Sequence, residues 1–117
     1  GHYMYTETSS PRVPGDVARL ISPAFQSSVN SYCAEFWYHL YGQHIGTLNV
    51  YTKRQGNLGT AVWSMSGDQG DQWYVASVTL DGTTDFQLVF EGVRGQSFRG
   101  DIAIDDVTVS SGACVAP

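Results

Sequence analysis

The chain has 117 residues, a formal net charge of −5, 42% hydrophobic and 13% aromatic residues, and only 15% charged residues. That length suits one domain, and that balance supports a packed core and excludes a disordered chain. The acidic surface argues against nucleic acid and anionic membranes as partners, and no apolar run approaches the roughly 20 residues that span a bilayer.

The opening Gly1-His2-Tyr3-Met4-Tyr5 lacks the pattern of a signal peptide. From there the chain alternates strand-like runs with turn signals, and nothing in it carries helical periodicity. His2–Thr6 is short and aromatic. Ala18–Ser22 follows the turn-prone stretch from Pro11 to Gly15. Tyr32–Tyr41 is the longest run, and Thr47–Lys53 follows a turn around Gly42–Gly46. Thr60–Ser64 follows Gln55-Gly56-Asn57. Gln72–Leu80 follows Gly67-Asp68-Gln69-Gly70, and Thr84–Glu91 follows Asp81-Gly82. Asp101–Ser110 closes the series after the glycine-spaced loop from Gly92 to Gly100. Short strands with Gly, Asp and Asn punctuation predict an all-β antiparallel sandwich or barrel.

Side-chain parity assigns the faces. Phe86, Leu88 and Phe90 share one side of their strand, with Asp85, Gln87 and Glu91 opposite, which predicts half-burial. Tyr74, Ala76, Val78 and Leu80 point inward together. Ala34, Phe36, Tyr38 and Leu40 do the same, while Cys33, Glu35, Trp37, His39 and Tyr41 occupy the other face. A second face that aromatic predicts a cover: a loop, a partner, or a further part of the domain. In the last strand Ile102 and Ile104 share one parity and Val107 and Val109 the other, so the pattern flips at Asp105-Asp106. Either a β-bulge restores a continuous apolar face, or Asp106 follows Ile104 into the core. A carboxylate beside such a flip is expected to be partly buried, and then needs donors or a cation.

Few residues form sets that carry chemistry. There is no nucleophile elbow, no phosphate-cradling glycine loop and no His-Glu-x-x-His helix. Glu35 and His39 share a strand face and His44 lies past the following turn; surface histidines explain them better than zinc. Asp105 and Asp106, adjacent on a strand, point apart and cannot act as a paired acid and base. Asp68 and Asp71 sit in a Gly-rich turn, where capping is a simpler role than calcium binding. Arg94 and Arg99 form either a local basic patch or apolar-stemmed covers over the surface, and the second is the simpler. Asn30, Asn49 and Asn57 all miss the N-glycosylation sequon. Cys33 opens one alternating strand and Cys114 lies past the last one. Two free buried thiols are compatible with that count; the placement favours a bridge, which would close a loop of roughly 80 residues and contribute about 4–5 kcal/mol.

Taken in order, these residues resemble the MAM domain, named for meprin, the A5 antigen (neuropilin) and receptor tyrosine phosphatase mu. Gly1-x-Tyr3-Met4, Thr8, Leu20 and Phe25 lead to Cys33-x-x-Phe36-x-Tyr38-x-x-x-Gly42. Gly70-x-x-Trp73, Phe90-Glu91-Gly92-Val93-Arg94-Gly95, Gly100-Asp101-Ile102-Ala103-Ile104-Asp105-Asp106-Val107 and Cys114 follow. The resemblance covers essentially the whole chain, residues 1–117, as a single domain. Ala34 departs from it, standing where the family has a larger aliphatic residue. The resemblance implies an antiparallel jelly-roll β-sandwich, a Cys33–Cys114 disulfide matching the family's second pair, and an opening segment with a first cysteine pair that lies upstream of this chain. It also implies a cation position near the last-strand Asp pair. Asp106 matches it best and Asp105 less well, with calcium or sodium as the ion.

The resemblance implies a secreted protein or the ectodomain of a membrane protein, with a non-catalytic role in adhesion, oligomerisation or other protein–protein contact, homophilic contact included. The alternative is a carbohydrate-binding jelly roll, which needs an exposed aromatic platform; Trp63, Trp73 and Tyr51 are its candidates.

Overall fold

In a computed structural model, the structure describes residues 17–42, 46–93 and 101–115. All regular structure among them is strand: β1 (Val17–Ile21), β2 (Ser31–Tyr41), β3 (Thr47–Arg54), β4 (Asn57–Leu58), β5 (Trp63–Ser66), β6 (Tyr74–Asp81), β7 (Gln87–Val93) and β8 (Asp101–Ser111). The expected strand at 2–6 lies outside the described residues.

Two antiparallel sheets face each other. One is five-stranded, in the order β1-β7-β3-β4 with β5 also on β3; the other is three-stranded, β6-β2-β8. The chain crosses between sheets at nearly every connection and stays on one only through β3, β4 and β5. The jelly-roll sandwich therefore fits the pattern of short amphipathic strands, each with one apolar row to bury. Phe36, Leu40, Leu48, Phe90, Ile102 and Ile104 meet between the sheets and are fully buried. Ala34 lies in the same core, 1% exposed. Parity holds along β2 and β6: Ala34, Phe36, Tyr38 and Leu40 are buried, and Tyr74, Ala76 and Val78 lean on the same core.

Three local features differ from expectation or complete it. The turn Gln55-Gly56 has positive φ at both residues (52° and 80°), the mirror-image hairpin geometry that matches strand twist, so Asn57–Leu58 returns as a short strand instead of an open turn. The expected strand at 60–64 pairs only from Trp63 onward, running to Ser66. β7 is buried on both faces. It lies between β1 and β3, and Val89 and Glu91 on its outer side are 1% and 6% exposed. The predicted half-burial fails because cross-strand neighbours fold over that side.

The parity flip in β8 is a bulge. Glu35 pairs with Thr108 and Trp37 with Asp105, so Asp106 and Val107 together oppose Phe36. Asp106 takes φ 52° and absorbs the extra residue, which returns Val107 to the buried row of Ile102 and Ile104. The expectation of a partly buried carboxylate is corrected: both Asp105 and Asp106 are exposed, because the left-handed residue turns the chain outward instead of carrying Asp106 into the core.

Candidate binding surface

The strand β2 runs down the middle of the three-stranded sheet, so its second face is the centre of an outer surface. Trp37 lies there between Val75 of β6 and Asp105 of β8. His39 follows two residues on, with the Trp73 ring centroid 5.3 Å away and that of Tyr41 5.9 Å away. Trp37, Trp73, Tyr41 and Val75 are 38%, 43%, 45% and 47% exposed, so four large apolar side chains form an open cluster. Among the described residues, the expected cover reaches only His39, whose Nε2 lies 3.0 Å from the Asp71 carboxylate. At the other end of the face, Cys33 is bonded to Cys114 just beyond β8. The bridge ties the central strand to the chain end, and the Cys114 N–H donates to the Thr79 hydroxyl on β6 (3.0 Å).

Among the described residues, charge is distributed unequally over the two sheets. Glu35, Asp71 and Asp105 are exposed around the aromatic cluster. The described cations Arg19, Lys53 and Arg54 all belong to β1 and β3 of the opposite sheet.

The opposite sheet holds a polar cluster that parity alone did not reveal. The Glu91 carboxylate accepts from Arg19 Nε (2.8 Å), and Arg19 Nη2 lies 2.7 Å from the same oxygen. Its second oxygen accepts from Asn49 Nδ2 and the Tyr51 hydroxyl, each at 3.1 Å, and Asn49 Oδ1 accepts from Ser64 (2.6 Å). Burial pushes the Glu91 carboxyl up, but the donors from Arg19, Asn49 and Tyr51 and the Arg19 charge outweigh it and hold it below its ordinary value. Burial and then the bond to Glu91 raise the Tyr51 phenol. The register Arg19↔Glu91↔Asn49 makes this a clamp across β1, β7 and β3. Sequence parity had set Glu91 on the polar side of its strand with Asp85 and Gln87, and only the central position of β7 makes it a buried carboxylate that needs partners.

The remaining sequence candidates separate. Trp63 packs edge-on against Phe36 and Tyr38, with centroids 5.1 and 4.9 Å apart, and Tyr51 is held by Glu91. Only Trp73 of the expected aromatic platform is exposed, so those three rings form no common surface; Trp37 and Tyr41 are its neighbours instead. Glu35 meets Ser77 and His39 meets Asp71, while His44 lies outside the described residues. Asp68 accepts the Gly70 and Gly42 N–H groups (2.9 and 3.4 Å), the capping role. Arg94 and Arg99 lie outside the described residues. Asp105 Oδ1 accepts the Asp106 N–H (2.8 Å). No group of three or more His, Cys, Asp or Glu side chains converges as a metal site among the described residues. Two exposed carboxylates fall well short of the six to eight oxygens calcium takes, so the described donor set does not fit the ion.

A family model described as "MAM domain, meprin/A5/mu" matches residues 1–115. The chain is 51% identical over 116 residues to MAM domain-containing glycosylphosphatidylinositol anchor protein 1 of Rattus norvegicus, covering 97% of the chain and 12% of that protein. It is 48% identical over 124 residues to anchor protein 2 of Mus musculus, covering 97% and 13%. Against Neuropilin-1 of Xenopus laevis it is 39% identical over 124 residues, covering 100% and 13%. The chain thus spans about an eighth of the length of these curated relatives. Among solved structures, the K1 cleaved adhesin domain of Lys-gingipain from Porphyromonas gingivalis W83 superposes with a TM-score of 0.73 at 19% identity, over 93% of this chain and 73% of that one. A CBM4 structure gives 0.61 at 11% identity, over 92% and 94%. At these identities the likeness is one of fold.

Proposed function

This chain belongs to the MAM family, and from that membership and the geometry of its three-stranded sheet we propose that it is a non-catalytic module that binds protein partners at the cell surface, in adhesion or assembly. The domain is extracellular, in keeping with a disulfide that needs an oxidising compartment. The observation that carries the proposal is the open cluster of Trp37, Tyr41, Trp73 and Val75 on an ordered sheet face. Exposed aromatics on a rigid scaffold are the residues that dominate protein interfaces, because they bury large area at small entropic cost. The same sheet is pinned by the disulfide, so the surface is preorganised.

The test is capture of cells or cell-surface protein by the bead-displayed domain. The Trp37→Ser/Trp73→Ser double variant should lose capture while keeping the near-UV spectrum of the Trp63 core. Full capture by that variant would remove this face from the binding role. Bead-to-bead aggregation reads homophilic binding in the same format.

A further inference from the structure

Resting on that reading of the domain as a protein-binding module, we propose that the outer face of the three-stranded sheet takes a cationic protein segment, with an arginine side chain laid over Trp37 or Trp73 and paired with the carboxylates beside them. Trp37 faces Asp105 directly across the strand pair, Glu35 lies two residues before it on the same side of β2, and Asp71 and Trp73 both flank His39. All three carboxylates are exposed, and the described Lys and Arg residues lie on the other sheet. Among the described residues, the fixed charges flanking the aromatic cluster are therefore of one sign.

This combination selects among occupants. A guanidinium satisfies both halves of the surface: its flat face stacks on an indole, and its N–H groups donate to a carboxylate at the ring edge. The Asp105 carboxylate gives one oxygen to the Asp106 N–H and keeps acceptor capacity for such a donor. Among the described residues, Glu35 is held only by a 3.4 Å contact from Ser77. A second copy docked by the same face would bring like charges together across a two-fold axis, which opposes association. A neutral glycan stacks on the rings but leaves the charge excess uncompensated. The cationic segment is the occupant for which ring and charge contributions have the same sign.

The test is a titration of the 15N-labelled domain with a short Gly-Arg alternating peptide, beside a Gly-Lys peptide and a neutral cello-oligosaccharide. The indole N–H signals of Trp37, Trp63 and Trp73 are the readout. The Arg peptide should move the Trp37 and Trp73 signals and leave that of core-packed Trp63 in place. It should bind more tightly than the Lys peptide by about threefold or more, the weight of an exposed stacked guanidinium. Asp105→Asn with Glu35→Gln should weaken binding by about tenfold at low ionic strength, and Trp37→Leu by about threefold. Equal binding of both peptides with no effect of Trp37→Leu would overturn the stacked arrangement. Movement of the two signals by the oligosaccharide and not by the Arg peptide would make the face a glycan site. Shifts that depend on protein concentration alone would make it a face for a second copy. If the Arg peptide leaves the signals unmoved while the double Trp variant still loses cell capture, the cationic partner is refuted and the binding reading stands.

Discussion

Replacing Glu91 tests whether the buried clamp holds the five-stranded sheet together. Glu91 is 6% exposed and receives donors from Arg19, Asn49 and Tyr51, so Glu91→Gln keeps the shape but removes the charge and turns an amide N–H₂ toward other donors. Each lost neutral bond costs about 1 kcal/mol. The Arg19 pair contributes about 1 kcal/mol after allowing for its half-exposed side chain. The Gln variant keeps one acceptor, so a loss of about 2 kcal/mol is expected, which moves the urea midpoint down by about 1–1.5 M for a chain of this size. The pH dependence gives the sharper criterion. The carboxyl is held below its ordinary value in the folded protein, so its contribution is complete above the unfolded pKa of about 4.3 and fades as pH falls through the folded value. The stability gap between wild type and Glu91→Gln should therefore be widest at neutral pH and narrow steadily below about pH 4. Urea unfolding followed by tryptophan fluorescence from pH 7 down to the acid limit measures it. A gap under about 0.5 kcal/mol at neutral pH, or one that does not narrow in acid, would refute the clamp.

Four further outcomes follow from the geometry. Reducing the Cys33–Cys114 bridge, 81 residues apart in sequence, should cost about 4.5 kcal/mol on the loop-entropy account and lower the Tm by about 15–20 °C in a thermal scan with and without reductant. Asp106→Gly should leave stability unchanged or raise it by up to about 1 kcal/mol at φ 52°, while Asp106→Val should cost about 1–2 kcal/mol, both read from urea midpoints. Gly82→Ala should destabilise by about 2–3 kcal/mol, because the added methyl would meet the Val29 carbonyl oxygen at 2.6 Å and the Tyr32 ring at 3.0 Å. Calcium is expected to leave the Tm of this chain unchanged, since the described residues offer no third carboxylate near Asp105 and Asp106; a rise abolished by Asp106→Asn would restore the cation reading.

Period-two alternation was enough to find β2, β3 and β6, and the inward rows of β2 and β6, because burial of one row fixes the parity of a strand. It failed on β7 for a positional reason. Whether a strand's second face meets solvent depends on what lies beside it, and the flank of Arg19, Asn49 and Tyr51 comes from strands 40 residues and more away in sequence. The β8 flip was visible as a break in pattern. Choosing between a bulge and a buried aspartate required the pairing register with β2, which no local window contains. The aromatic platform was misplaced for the same reason. Trp63, Trp73 and Tyr51 look equivalent in sequence, and only the sheet assignment separates a core ring from a surface one. Trp37 was legible as an outward residue on β2, but its neighbours Val75 and Asp105 come from strands far along the chain.

The two outer sheet faces use their polar and aromatic residues differently, and that difference argues for where the function lies. On the five-stranded sheet, Arg19, Asn49, Tyr51 and Ser64 bond to one another and to Glu91. Their hydrogen-bonding capacity is largely satisfied within the fold, and the clamp closes over a central strand. On the three-stranded sheet, Trp37 and Tyr41 remain about two-fifths exposed, and among the described residues Asp105 bonds only its neighbour's N–H. A side chain that stabilises the fold through contacts should cost stability when removed, and one kept for a partner should not. Substitutions at Glu91 and at Trp37 should therefore separate cleanly. The first should shift the unfolding midpoint with the Trp37 face intact. The second should leave the unfolding free energy within about 0.5 kcal/mol of wild type and weaken binding. If Trp37→Leu destabilised the domain as much as Glu91→Gln does, the exposed cluster would be part of the folding core, and the case for a binding face there would fall.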